Sequence, residues 1–135
     1  MLVTGRGLCR YRPALHAWDM CSFDHGISPQ CFGVVGDGLV GGFSDSALRR
    51  SRDGHWERLG EAVTLPEPPN VLHVDGSDLW LGGRGYIVAF DVGQNKVRAS
   101  CNLAAKAMDR LQVAGGYLWA QFDGHLYRVP LSAAR

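Results

Sequence analysis

The chain repeats itself about every 39 residues, a period in the range of propeller blades and solenoids. Leu2-Val3-Thr4-Gly5, Leu39-Val40-Gly41-Gly42, Leu79-Trp80-Leu81-Gly82 and Leu118-Trp119-Ala120-Gln121 fill one recurring slot. Val35, Val74 and Val113 mark a second slot upstream, and Leu8, Leu48, Ile87 and Leu126 a third downstream. A unit of this size cannot bury its apolar faces alone and must stack on neighbours of its own kind.

Each unit reads as short strands. The clearest runs from Asn70 to Asn102, and in it Val71-Leu72-His73-Val74, Leu79-Trp80-Leu81-Gly82, Tyr86-Ile87-Val88-Ala89-Phe90 and Lys96-Val97-Arg98-Ala99-Ser100-Cys101 are four apolar or β-branched runs. Asp75-Gly76-Ser77-Asp78, Gly83-Arg84-Gly85 and Asp91-Val92-Gly93-Gln94-Asn95 separate them with turn chemistry. Four antiparallel strands per unit is the blade of a β-propeller. No stretch sustains the i, i+3, i+4, i+7 apolar pattern of a helix. Gly60 to Asn70, with Pro66, Pro68 and Pro69, is expected to be an irregular loop between units, because proline cannot donate to a ladder. The expected fold is therefore all-β, a propeller arc of about three and a half blades in residues 1–135, with units at roughly 1–30, 31–69, 70–107 and 108–135. The first unit lacks an inner strand and the last an outer one. Such edges pair with something or aggregate, so the partner expected is a second copy of the chain or the rest of a longer propeller.

Asp75-Gly76-Ser77-Asp78-Leu79-Trp80-Leu81-Gly82-Gly83-Arg84-Gly85-Tyr86-Ile87-Val88-Ala89-Phe90-Asp91 resembles the repeat of two-component regulator propellers, a glycine turn, Leu-Trp, a second glycine turn, an apolar strand and Asp. Gly116-Tyr117-Leu118-Trp119 with Gly124-His125-Leu126-Tyr127-Arg128 is a second match, and Gly7-Leu8-Cys9-Arg10-Tyr11 with Trp18 and Asp53-Gly54-His55-Trp56 match its end. The resemblance implies propeller blades and a sensor-like role, in a family that is often periplasmic. Its motifs are structural, glycine for turns and Trp and Leu for packing.

Composition narrows the function classes. Charged residues make up 20% of the chain, hydrophobic residues 46%, and the net charge is +1. That balance gives no electrostatic footprint for nucleic acid or an anionic membrane surface. No apolar run approaches the ~18 residues of a membrane-spanning helix. The first residues lack the charged and apolar regions of a secretory signal, and the compartment stays open. Cys9, Cys21, Cys31 and Cys101 form no CxxC pair, so no zinc site is expected, and their disulfide state is left open. Motifs for a nucleophilic serine, a zinc protease, a phosphate loop and a calcium loop are all absent, and no cofactor is expected.

One repeated position carries charge. Arg6, Asp45, Arg84 and Asp123 stand at the same place in successive units, in the loop between second and third strands. In propellers these loops usually share a face with the inter-blade loops, and arginine there can grip a carboxylate or phosphate in a bidentate fork. Solvated turn residues account for the same pattern. His73 lies in an inner strand, near the channel. The residues expected to bind a ligand are therefore Arg6, Asp45, Arg84, Asp123 and His73, with none catalytic and none for metal. The expected function is a non-enzymatic binding or sensing module whose loop face meets a small anionic or sugar ligand, or a protein partner. Two alternatives stay open: a lyase- or hydrolase-like enzyme acting on a sugar or polyol with a metal at the pore, and a self-assembling scaffold without ligand.

Overall fold

The computed structural model describes residues 2–4, 7–21, 31–36, 38–43, 45–50, 56–60, 64–103 and 108–134. Among the described residues, fourteen strands form four separate antiparallel sheets, each a meander in which consecutive strands pair. The first holds β1 (Leu2–Thr4), β2 (Gly7–Arg12) and β3 (Ala17–Cys21), with a 3₁₀ turn at Pro13–Leu15 between the last two. The second holds β4 (Cys31–Val35), β5 (Gly38–Gly42), β6 (Ala47–Arg50) and β7 (Trp56–Arg58). The third holds β8 (Pro69–Asp75), β9 (Asp78–Gly83), β10 (Tyr86–Asp91) and β11 (Lys96–Asn102). The fourth holds β12 (Met108–Ala114), β13 (Tyr117–Phe122) and β14 (His125–Pro130), followed by the single turn α1 (Leu131–Ala134). No helix among the described residues is long and apolar enough to cross a membrane.

The third sheet shows why its central strands are apolar throughout. Successive strand residues point to opposite faces, and in β9 and β10 every residue is buried. Leu79, Leu81, Tyr86, Val88 and Phe90 pack with Val40, Ala47, Leu59 and Leu65 of the second sheet and the loop beyond it. Trp80, Ile87 and Ala89 point the other way, to Met108, Leu111, Leu118 and Ala120 of the fourth sheet. The core is thus two apolar layers, one on each face of the third sheet. Small residues let these layers close. A Cβ at Gly42 would lie 2.5 Å from Pro69 Cγ, and one at Gly82 would lie 2.8 Å from Val71 Cγ2 and 3.2 Å from Met108 Cγ.

Polar ties cross the same two seams. Arg49 Nη1 donates to the Val92 carbonyl at 3.1 Å, and the Gly60 amide donates to Asn95 Oδ1 at 3.1 Å. The Asn70 side-chain amide donates to the Met108 carbonyl.

Two sequence expectations are corrected. Pro69 and Asn70 are not loop but the first residues of β8, where Pro69 is buried opposite Gly83 at an irregular step in the ladder. Proline is tolerated at the first position of a strand and beside a bulge. Trp80 and Trp119 share one repeat slot, yet only Trp80 fills space between sheets. Trp119 stands on the opposite face from Leu118 and Ala120, and so on the outside of the stack.

Candidate functional site

The second and third sheets each turn one face forward onto the next sheet. On the second that face holds Cys31, Gly33, Val40, Gly42 and Ala47, and on the third Val71, His73, Trp80, Gly82 and Ile87. Apart from His73 these are small or apolar side chains, as close packing requires. The corresponding positions of the fourth sheet are Arg110, Gln112, Trp119, Gln121 and Leu126, in cross-strand register Arg110↔Gln121, Gln112↔Trp119 and Gln121↔Leu126. Glutamine thus stands where the other two sheets have glycine, and arginine where they have cysteine and valine. No sheet among the described residues covers this face. It forms an open depression of about 350 Å³ lined by those five residues and Ala114.

The face is organised by an aromatic pair. Trp119 Nε1 donates to the Ala114 carbonyl at 3.1 Å, which fixes the indole. Tyr117 lies beside it with ring centroids 6.1 Å apart. The Arg128 guanidinium sits 4.6 Å from the Tyr117 centroid and 5.7 Å from that of Trp119, within cation–π range. Among the described residues neither Arg110 nor Arg128 has a carboxylate partner. The result is a cationic, amide-rimmed aromatic surface. Sequence reasoning missed it because Trp119 and Trp80 share a slot. The signal that finds it is the column of side chains opposite, where Gly42 and Gly82 give way to Gln121.

The residues expected to bind a ligand are placed as follows. Asp45, Arg84 and Asp123 occupy equivalent turns of three successive sheets, all three exposed. The Asp45 carbonyl accepts from the Leu65 amide at 2.6 Å. Arg84 makes no hydrogen bond or ion pair with any described residue. Asp123 has φ 55° and precedes Gly124 at 74°, so it also serves the tight turn between β13 and β14. His73 is half-buried in β8, on the face turned to the fourth sheet and paired with Trp80. Arg6 lies outside the described residues.

Trp80 Nε1 is buried without a hydrogen-bond partner, a cost of about 1–3 kcal/mol carried by an otherwise apolar layer. Of the thiols, Cys31 and Cys101 are both free. Burial pushes Cys31 up to about 11, only partly opposed by a backbone hydrogen bond from Gly42. Burial, with the nearby negative charges of Cys31 and Glu67, also raises the Tyr86 phenol, which donates to the Glu67 carbonyl at 2.8 Å. Cys31 is therefore expected to alkylate about 10²-fold more slowly at pH 8 than an unhindered thiol, because thiolate is the nucleophile. Its rate should climb with pH up to about 11. Mass-spectrometric mapping of iodoacetamide labelling checks this, with exposed Cys101 modified first. Equal rates at the two sites would refute the burial of Cys31. Among the described residues no three His, Cys, Asp or Glu side chains cluster as metal ligands.

The chain matches no known protein family and no curated protein. Solved structures do resemble it. The extracellular domain of the putative one component system BT4673 from B. thetaiotaomicron superposes with a TM-score of 0.72 at 20% identity, over 91% of this chain and 18% of that one. The WD40 domain of Neurospora crassa Pan2 gives 0.58 at 16% identity over 79% of this chain and 34% of that one. The RRP9 WD40 repeats give 0.63 at 14% identity over 82% and 37%. The fold is that of a partial β-propeller, and its sheets are blades. The chain spans only about a fifth to a third of the length of these propellers.

Proposed function

We propose that this chain is a non-enzymatic propeller module for binding or sensing, and that it meets an acidic partner on the open face of its last blade. The observation that carries the reading is the replacement of Cys31 and Val71 by Arg110, and of Gly42 and Gly82 by Gln121, on that face, around a fixed Trp119. An apolar blade would leave those groups buried and unpaired, at about 1–3 kcal/mol each. An acidic surface satisfies them, because arginine forks match carboxylates. Arg84, flanked in neighbouring blades by Asp45 and Asp123, extends the same chemistry to the turns, as does Arg6 by its place in the repeat; His73 belongs to the channel side of this reading.

The test is thermal unfolding in the presence of an octaglutamate peptide at low salt. A ligand that binds only the folded state stabilises it by about 2.7 kcal/mol at a hundredfold excess over Kd. The midpoint should rise, the rise should shrink in high salt, and Arg110→Glu should abolish it. An unchanged midpoint in the parent chain would overturn the reading.

A further inference from the structure

The inner strands of the third and fourth blades each carry one residue too many for their ladders. In β8 the register runs from Pro69↔Gly83 to Val71↔Gly82, and Asn70 between them has no cross-strand partner. In β12 it runs from Met108↔Phe122 to Arg110↔Gln121, and Asp109, 39 positions after Asn70, is the residue left over. Such an extra residue is a β-bulge, which bends a strand and re-aims a side chain. Pro69 and Met108 thereby turn back onto the preceding blade, Pro69 against Gly42 and Met108 in the layer of Trp80.

Released from its ladder, the exposed Asn70 reaches across the seam, and its side-chain amide donates to the Met108 carbonyl. Met108 is buried and begins β12, the inner strand of its blade, whose other edge pairs with no strand among the described residues. A buried carbonyl in that position needs a donor from outside the sheet. Asn70 of the third blade supplies it.

The two seams of the third blade are closed differently. Toward the second blade the inner strands touch, since a Cβ at Gly33 of β4 would lie 2.7 Å from Leu72 Cδ2 and 3.1 Å from Val74 Cγ2. Leu59 and Leu65 are buried in that layer, and Arg49 and Asn95 tie it across. Toward the fourth blade His73 stands where Gly33 does, paired with Trp80 as Gly33 is with Val40. The layer therefore holds a half-buried imidazole and, cross-strand from it, a buried indole nitrogen without a hydrogen-bond partner. Both groups weaken an apolar seam.

We propose that Asn70 is a latch on this weaker seam. The third and fourth blades part by releasing its bond to Met108, and they part as units while the second and third blades stay joined. The opened state exposes Trp80, Ile87, Met108 and Leu111 together. A blade cannot bury its apolar faces alone, so the ladder of β12 and β13 loosens once the blade undocks. Openings of this kind follow supersecondary units and lie below global unfolding in free energy.

The experiment is native-state hydrogen exchange of the whole chain, read by mass spectrometry over urea concentrations below the unfolding transition. In the parent, amides of β12 and β13 should exchange through an opening with a smaller urea dependence than those of β9 and β10, because less surface is exposed. Asn70→Ala should speed exchange in β12 and β13 about three- to tenfold, the worth of one hydrogen bond, and leave β5 and β6 at the parent's rates. Asn70→Asp keeps the shape but removes the donor, and should do at least as much. Asn95→Gly breaks the tie to Gly60 at the other seam, in a backbone conformation that glycine adopts freely, and should leave β12 and β13 unchanged. A common rate and urea dependence for all four strands of the parent would overturn the latch without recourse to any variant. So would an Asn70→Ala effect spread evenly over the blades, which is a general loss of stability, or faster exchange in the fourth blade that neither Asn70 variant alters, which is simple fraying. Asn70 lies on the third blade, away from the face that carries Arg110, so the octaglutamate test stands or falls separately.

Discussion

Phe90→Ala is expected to remove about 3–5 kcal/mol of stability, the range for emptying a large aromatic from a packed core. The side chain has no exposed surface and lies in β10, in the layer that joins the second and third blades. Val40, Ala47 and Leu59 come to it from the second blade and Leu79, Leu81 and Val88 from its own sheet, so its loss opens a void that two rigid sheets cannot both close. Domains of this size are stable by only about 5–15 kcal/mol. The variant should therefore show a large fraction of unfolded chain under conditions where the parent is folded. Urea unfolding followed by far-ultraviolet circular dichroism measures it. Val34→Ala is the control, since Val34 is 54% exposed and its truncation should change stability by at most about 0.5 kcal/mol. A loss below about 1 kcal/mol for Phe90→Ala would mean that the seam between these blades is not closed in solution.

The strands of the third and fourth blades were legible because two signals coincide there. Short apolar runs make up β9 and β10, and glycine-bearing two-residue turns set their register. Where one signal overrode the other, the reading slipped. Prolines at 66, 68 and 69 argued for loop throughout, yet the buried contact between Pro69 and Gly42 draws the last of them into β8. The turn of helix at Leu131–Ala134 has no repeat counterpart to reveal it; it follows from the packing of Leu131 against the layer between the third and fourth blades. The charged turn positions were visible as a column in the repeat. The open face was not, because periodicity says which residues share a face but not whether another sheet covers it. Trp80 and Trp119 are alike in sequence and differ only in what lies opposite them.

The other large effect lies in a buried charge. Asp78 and Asp91 face each other across β9 and β10, two carboxylates that would repel if nothing stood between them. Arg98 stands there, reaching from β11 with Nη1 2.6 Å from Asp78 Oδ1 and Nη2 4.0 Å from Asp91 Oδ2. Asp78 is 4% exposed, while the Arg98 side chain is 36% exposed. Breaking a fully buried pair costs about 3–5 kcal/mol, and solvent at the arginine reduces that, so Arg98→Met should cost about 2–4 kcal/mol. The cost comes mostly from the guanidinium charge lost beside Asp78, and one consequence follows. Asp78→Asn in the Arg98→Met background should recover most of the loss, although either change alone destabilises. A double-mutant cycle by urea unfolding reads it. If Asp78→Asn recovers nothing, Arg98 acts through its methylene stem and not through its charge, and the junction of β9, β10 and β11 is held by packing alone.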